Sequence, residues 1–241
     1  ALVICMPGNA DNDAFDVARD IKGKFPNIHC VVLTPFSHGI TKRMQNEDLS
    51  IFDYVFCWLG NTNLILSIIK LIEDKMNLEH DIQEAGVQMI LLVEDSIRFY
   101  SSILPNLYNY ILEQSKNFSK EALNRHAATM RMRGRPKVVL ARTYEEAKKL
   151  YDKYSDNTLG VISDARFPLK SAAKAFGNVV DENVQPKHAT DTFGREKCPD
   201  AGLQLFRYIR KNDSFVPLIL ESSESENRAK AEAEGFRFVD K

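Results

Sequence analysis

LGVISDARFP, residues 159–168, decides how this chain folds. A short, mostly apolar run with β-branched residues leads straight into one carboxylate, Asp164, and then into a turn closed by Pro168. An apolar strand that ends in an acid delivers charge to the carboxyl edge of a buried parallel sheet, where the crevice of an open α/β fold lies. A strand-end Asp taken alone is an ordinary turn former. Its meaning comes from the segments around it, which supply matching strand ends in order.

Working outward from Asp164, apolar strand-like runs recur at residues 87–93, 137–141, 217–220 and 236–239, separated by amphipathic stretches with helical spacing. Thr143 and Glu146 form a capping box for a helix over 144–154, and Ser96 is a suitable cap for the helix that follows the first strand. A helix over 203–211 follows Pro199-Asp200-Ala201-Gly202, and another is expected near 224–234. Strict alternation of strand and helix implies parallel βαβ units joined by right-handed crossovers. The strand ends then bring Glu94 and Asp95, Asp164, Ser222 and Lys241 to one edge. The polar segment 169–198 has no firm period; loops of that length are functional or disordered.

The first part of the chain repeats the alternation. Strands are expected at 1–6, 28–33 and 54–58, with helices at 13–24 and 64–76, a turn at Pro7-Gly8-Asn9 and a short polar helix at 41–48. The polar stretch 77–86 reads as a hinge. The domain plan is therefore residues 1–80, a hinge at 81–86, and a second domain over 87–241.

Length and composition set outer limits. The chain has 241 residues, 44% hydrophobic and 27% charged, in the range of an ordinary globular protein with room for two small cores. A net charge of −1 argues against a general nucleic-acid binder. Four cysteines, Cys5, Cys30, Cys57 and Cys198, lack CxxC spacing, and three sit in apolar strand-like runs. Buried thiols in a reducing cytoplasm are the expectation, rather than disulfides or zinc. No apolar run is long enough for a membrane span, and the opening ALVICMPG lacks a basic leader, so it reads as domain interior. The basic stretch from Arg125 to Lys137 reads as a solvated helix end, and the five histidines form no ligand pair.

Three carboxylates in one crevice repel one another unless a cation sits among them. A hard divalent ion, Mg²⁺ above all, accepts such oxygen ligands together with a carbonyl and waters. A hydroxyl and an ammonium opposite would receive a phosphoryl group, which Asp164 could accept as an aspartyl phosphate.

With these residues in hand, residues 87–241 resemble the receiver domains of two-component response regulators. LLVEDS (91–96) is similar to the family's acidic-pair strand, GVISDARFP (160–168) to its phosphoacceptor strand, PDAGLQLFRYIRKN (199–212) to the next turn and helix, VPLILESS (216–223) to the switch-hydroxyl strand, and FRFVDK (236–241) to the lysine strand. The resemblance implies a flavodoxin-like fold in which Glu94, Asp95, Asp164 and the Arg166 carbonyl hold Mg²⁺. It also implies that Asp164 is the phosphoacceptor, Ser222 the switch hydroxyl, Lys241 the phosphate contact and Phe238 the switch aromatic. The insert 169–198 departs from the family, and the family's last helix has no counterpart after Lys241.

Residues 1–80 resemble the second half of a degenerate receiver. ALVICMPG would be its acceptor strand, HCVVLTPF its switch strand and DYVFCWLG its lysine strand. Met6 and Cys57 stand where the acceptor and lysine belong, while Thr34 keeps the hydroxyl. The tandem, with MILLVEDSIRFYSS, RMRGRPK and LILESS in that order, is similar to the amino-terminal region of phosphoenolpyruvate synthase-like bacterial proteins. The resemblance implies a regulatory fragment, phosphorylated by a histidine kinase or a small acyl phosphate and acting on its own output domain. The alternative is an unphosphorylated pseudo-receiver that serves for docking or homodimerisation.

Overall fold

The computed structural model describes residues 2–6, 14–35, 51–58, 60–170 and 195–241, which belong to two compact units. Unit 1 comprises residues 1–72 and 96–106; unit 2 comprises 73–95 and 107–241. The turn expected at Pro7-Gly8-Asn9 and the short helix expected at 41–48 lie outside the described residues, as does most of the segment 169–198.

Unit 1 contains β1 (Leu2–Cys5), α1 (Ala14–Lys24), β2 (His29–Thr34) and β3 (Tyr54–Cys57), with the beginnings of α2 (Asn63–Gln83) and α3 (Ile97–Lys120). Its three strands are parallel, in the order β1-β2-β3. β2 and β3 are buried nearly throughout, as their continuous apolar sequence demands. Phe15 of α1 meets Phe52 edge-on at 5.7 Å, and Phe56 meets Tyr100 likewise at 5.4 Å. The Tyr100 hydroxyl donates to the Val55 carbonyl, and the Cys57 amide donates to Ser101 Oγ at 2.9 Å. Cys5, Cys30 and Cys57 are free, buried thiols; Cys198 is free and half-buried.

Unit 2 carries β4 (Met89–Val93), α4 (Arg125–Arg133), β5 (Lys137–Ala141), α5 (Tyr144–Tyr154), β6 (Thr158–Asp164), β7 (Phe167–Pro168), β8 (Lys197–Cys198), α6 (Ala201–Asn212), β9 (Leu218–Ser222), α7 (Ser225–Ala233) and β10 (Arg237–Asp240). Five strands make a parallel sheet in the order β10-β9-β6-β4-β5. Strand order reverses between β4 and β6, the place where open α/β sheets form their crevice. The core packs β4, β6 and β9 against α5 and α6 through Leu91, Val161, Leu220, Tyr151 and Phe206. The expected cap of α5 is present: the Glu146 amide donates to Thr143 Oγ1 at 3.2 Å, and the Glu146 carboxylate accepts from the Arg142 amide.

Two local expectations need correcting. The stretch 77–86 is helical as far as Gln83, and only then turns, with Gly86 at φ +62. Leu78 and Ile82, one helical turn apart, are buried and hold this last part of α2 in the core. The surrounding polar residues mask that pair in the sequence. The division between units accordingly falls within α2, at Ile72/Glu73, rather than in a linker.

The second correction concerns the basic stretch. α4 has no buried residue and is solvated as expected, but Arg135 and Lys137 are buried. Asp74, with no exposed surface, receives a bidentate Arg135 guanidinium at 2.6 and 3.0 Å, the Tyr108 hydroxyl at 3.0 Å and the Val138 amide at 3.0 Å. Lys137 Nζ pairs with Asp81 at 2.6 Å. Buried charges persist only when paired and hydrogen-bonded in this way. No helix among the described residues is long and apolar enough to cross a membrane.

Candidate functional site

The parallel register explains how residues far apart in sequence meet. Val93 pairs with Ser163, so the next residue, Glu94, comes beside Asp164. Asp164 pairs with Glu221, which places Ser222 one step further on β9. Ser222 pairs with Asp240, so Lys241 follows at the end of β10, its amide donating to the Ser222 carbonyl at 3.3 Å. One carboxyl edge therefore collects Glu94 and Asp95, Asp164, Ser222 and Lys241.

Glu94, Asp95 and Asp164 each offer a carboxylate oxygen within 4.8 Å of the others. Glu94 and Asp95 have no exposed surface, whereas Asp164 keeps partial access. Ionised carboxylates this buried require positive charge nearby. Lys241 supplies some of it: its ammonium pairs with Glu94 and lies 2.9 Å from Asp164 Oδ1. Burial alone would lower the Lys241 pKa, but Glu94 and Asp164 outweigh it and hold the group above the ordinary lysine value.

The loop after β6 is pinned from several sides. The Ala165 amide donates to Asp164 Oδ1 at 2.8 Å and lies 3.1 Å from the Glu221 carbonyl. The Gly202 amide, in the first turn of α6, donates to the Ala165 carbonyl at 3.1 Å. A Cβ at Gly202 would fall 2.3 Å from the Asp164 carbonyl oxygen, so only glycine allows α6 to approach this closely. Arg166 stands in the bend between β6 and β7, and its guanidinium donates to Glu224 at 3.0 Å, tying the acceptor loop to the loop after β9.

The other expected site residues have their own surroundings. Ser222 Oγ accepts from the Glu224 amide at 3.1 Å and from Asn227 Nδ2 at 2.9 Å, so it holds the entry to α7. Phe238 packs at the margin of the core, with the Arg228 guanidinium 4.9 Å from its ring centre. In unit 1, Thr34 and Cys57 are register partners at the ends of β2 and β3, both buried, and Met6 follows β1 with its side chain exposed.

Two further residues belong to the site. Glu221 sits opposite Asp164 in the ladder; burial raises its pKa, and Asp164 adds to the effect while Lys241 opposes it. Sequence reasoning passed over it, although its place directly after the apolar run 217–220 is the signal that could have found it. Lys197 had no such signal, because it lies in an aperiodic polar segment. It reaches the site through the antiparallel pairing of β7 with β8, where Pro168 faces Lys197. Its ammonium lies 2.7 Å from Asp95 Oδ2.

The donors suit a hard divalent cation: three carboxylates, all oxygen, converge on one point that already draws two ammonium groups. Among the described residues, no other group of three or more acidic, histidine or cysteine side chains converges in this manner. No protein-family model matches this chain, and no curated protein matches it.

Proposed function

We propose that unit 2 is a receiver-type, flavodoxin-like signalling domain that accepts a phosphoryl group on Asp164 in the presence of Mg²⁺. The observation that carries the reading is the convergence of Glu94, Asp95 and Asp164 within 4.8 Å, with Lys241 bridging Glu94 and Asp164. The strand order supports it: counted within its own sheet, the order runs 2-1-3-4-5, the doubly wound arrangement whose switch point lies between the first and third strands.

In this reading Glu94, Asp95, Asp164 and the Arg166 carbonyl would hold Mg²⁺, which would supply charge neutralisation for the oxygens of an incoming phosphoryl group. Asp164 Oδ1 is engaged by Lys241 and the Ala165 amide, so Oδ2 attacks phosphorus. The bond to the leaving group breaks, and the leaving group departs with its electron pair. Lys241 then turns from carboxylate to phosphate. The added charge draws on Ser222, whose hydroxyl would exchange its contacts at the start of α7 for the phosphoryl oxygens, with Phe238 following. Such a change biases an attached output region, for which the sequence resemblance points to a phosphoenolpyruvate synthase-like domain. Unit 1 serves as a degenerate partner receiver, with Met6 and Cys57 in place of acceptor and lysine.

The test is incubation of the chain with a small acyl phosphate and Mg²⁺, read by intact-mass spectrometry. A gain of one phosphoryl group that Asp164→Asn abolishes is the expected result. Absence of the gain, where an ordinary receiver is labelled alongside, would leave the docking or dimerisation module as the reading.

A further inference from the structure

Two lysines enter the acidic site, and they are held very differently. Lys241 follows a strand of the main sheet, its amide is bonded to Ser222, and its side chain is 5% exposed. Lys197 belongs to a ladder of two residues, and its side chain is 17% exposed. Its ladder partner, Pro168, has no N–H and cannot donate to β8. Phe167 of β7 is fully buried, whereas its ladder partner in β8, Cys198, is only half-buried at the margin of the core, so β7 is the better anchored of the two strands.

Electrostatics at the site favours departure of β8. A divalent ion held by Glu94, Asp95 and Asp164 would lie close to the Lys197 ammonium, and cations packed this closely repel. The ion and the Lys197 ammonium also require the same carboxylate, Asp95.

We propose that Lys197 is a tethered cation that competes with Mg²⁺ for Asp95: its ammonium closes the metal site, and metal loading expels Lys197 together with β8. This rests on the receiver reading of the same site and adds its regulation. The segment that joins β7 to β8 begins directly after Pro168, so loading the site reports to that segment through the Lys197–Asp95 ion pair. By linkage, whatever binds and holds the segment with Lys197 away from Asp95 tightens the metal by the same factor.

Calorimetric titration of the full chain with Mg²⁺, at fixed ionic strength, tests this on three proteins: the unmodified chain, Lys197→Met and Lys197→Arg. Lys197→Met should bind Mg²⁺ about tenfold more tightly, while Lys197→Arg, which keeps the charge, should stay close to the unmodified chain. A second measurement needs no variant. Mg²⁺ should speed amide hydrogen exchange at Lys197 and Cys198 while slowing it at Glu94 and Asp95. Equal or weaker binding by Lys197→Met, or unchanged exchange at residues 197–198 on metal loading, would overturn the tether and leave the phosphoacceptor reading standing. Absence of Mg²⁺ binding in all three proteins would overturn both.

Discussion

Gly202→Ala is the substitution whose outcome depends most directly on the geometry at Asp164. In most helices exchanging glycine for alanine is favourable, by up to about 1 kcal/mol, because alanine loses less backbone entropy on folding. Here the new Cβ would lie 2.3 Å from the Asp164 carbonyl oxygen, 2.8 Å from Leu220 Cδ1 and 3.2 Å from Ala165 Cα. A carbon–oxygen contact tolerates roughly 3.3 Å, so α6 and the acceptor loop must separate by about 1 Å. That separation breaks the bond from the Gly202 amide to the Ala165 carbonyl, at about 1 kcal/mol, and adds the overpacking cost of about 1–3 kcal/mol. The clash outweighs the propensity gain of up to about 1 kcal/mol, and unit 2 should lose about 1–3 kcal/mol. Trp58, the one tryptophan, lies in unit 1, so its fluorescence is the wrong probe. Hydrogen exchange at the amides of β6 and β9 reads unit 2 directly. Leu220→Ala should fail to rescue, because the closest contact is with main chain. A Gly202→Ala protein as stable as the parent would refute the argument, as would rescue by the Leu220 truncation.

Asp74→Ala strands Arg135 in the interior, while Lys137 keeps Asp81, and should cost about 3–5 kcal/mol in urea unfolding followed by circular dichroism. A loss under about 1 kcal/mol would mean that water or another acid replaces Asp74. Alkaline stability should depend on Lys241. Its folded-state pKa is raised, so its contribution is complete below the unfolded lysine value and disappears as pH climbs through the folded one; Lys241→Met should flatten that limb of the stability curve. Acid stability of unit 1 should depend on Asp53. Burial works against its ionisation, but the Cys30 amide, His29 and Lys22 prevail and lower the pKa. Its contribution is therefore present above the unfolded carboxyl value and lost as pH falls through the folded one, and hydrogen exchange in β2 of Asp53→Asn should show a weaker acid loss.

The strands and the residues at their ends were legible in the sequence because a buried parallel strand is an unbroken apolar run, and the residue that follows it emerges at the sheet edge. That periodicity marked Glu94, Asp95, Asp164, Ser222 and Lys241 without reference to any neighbour, and the parallel register then brought the acids together. The buried Arg135 could not be told from the exposed arginines of α4, because its burial depends on Asp74, sixty-one positions away along the chain. Nor could the helical end of α2 be separated from a hinge while only its charged residues were weighed against Leu78 and Ile82. Lys197 is the extreme case. It sits in a polar, aperiodic stretch, and only the pairing of β8 with β7 carries its ammonium to Asp95. Local pattern determines which residues lie at a strand end, since backbone geometry repeats over a few positions. Which charges face one another is decided by contacts across the fold, which no local repeat encodes.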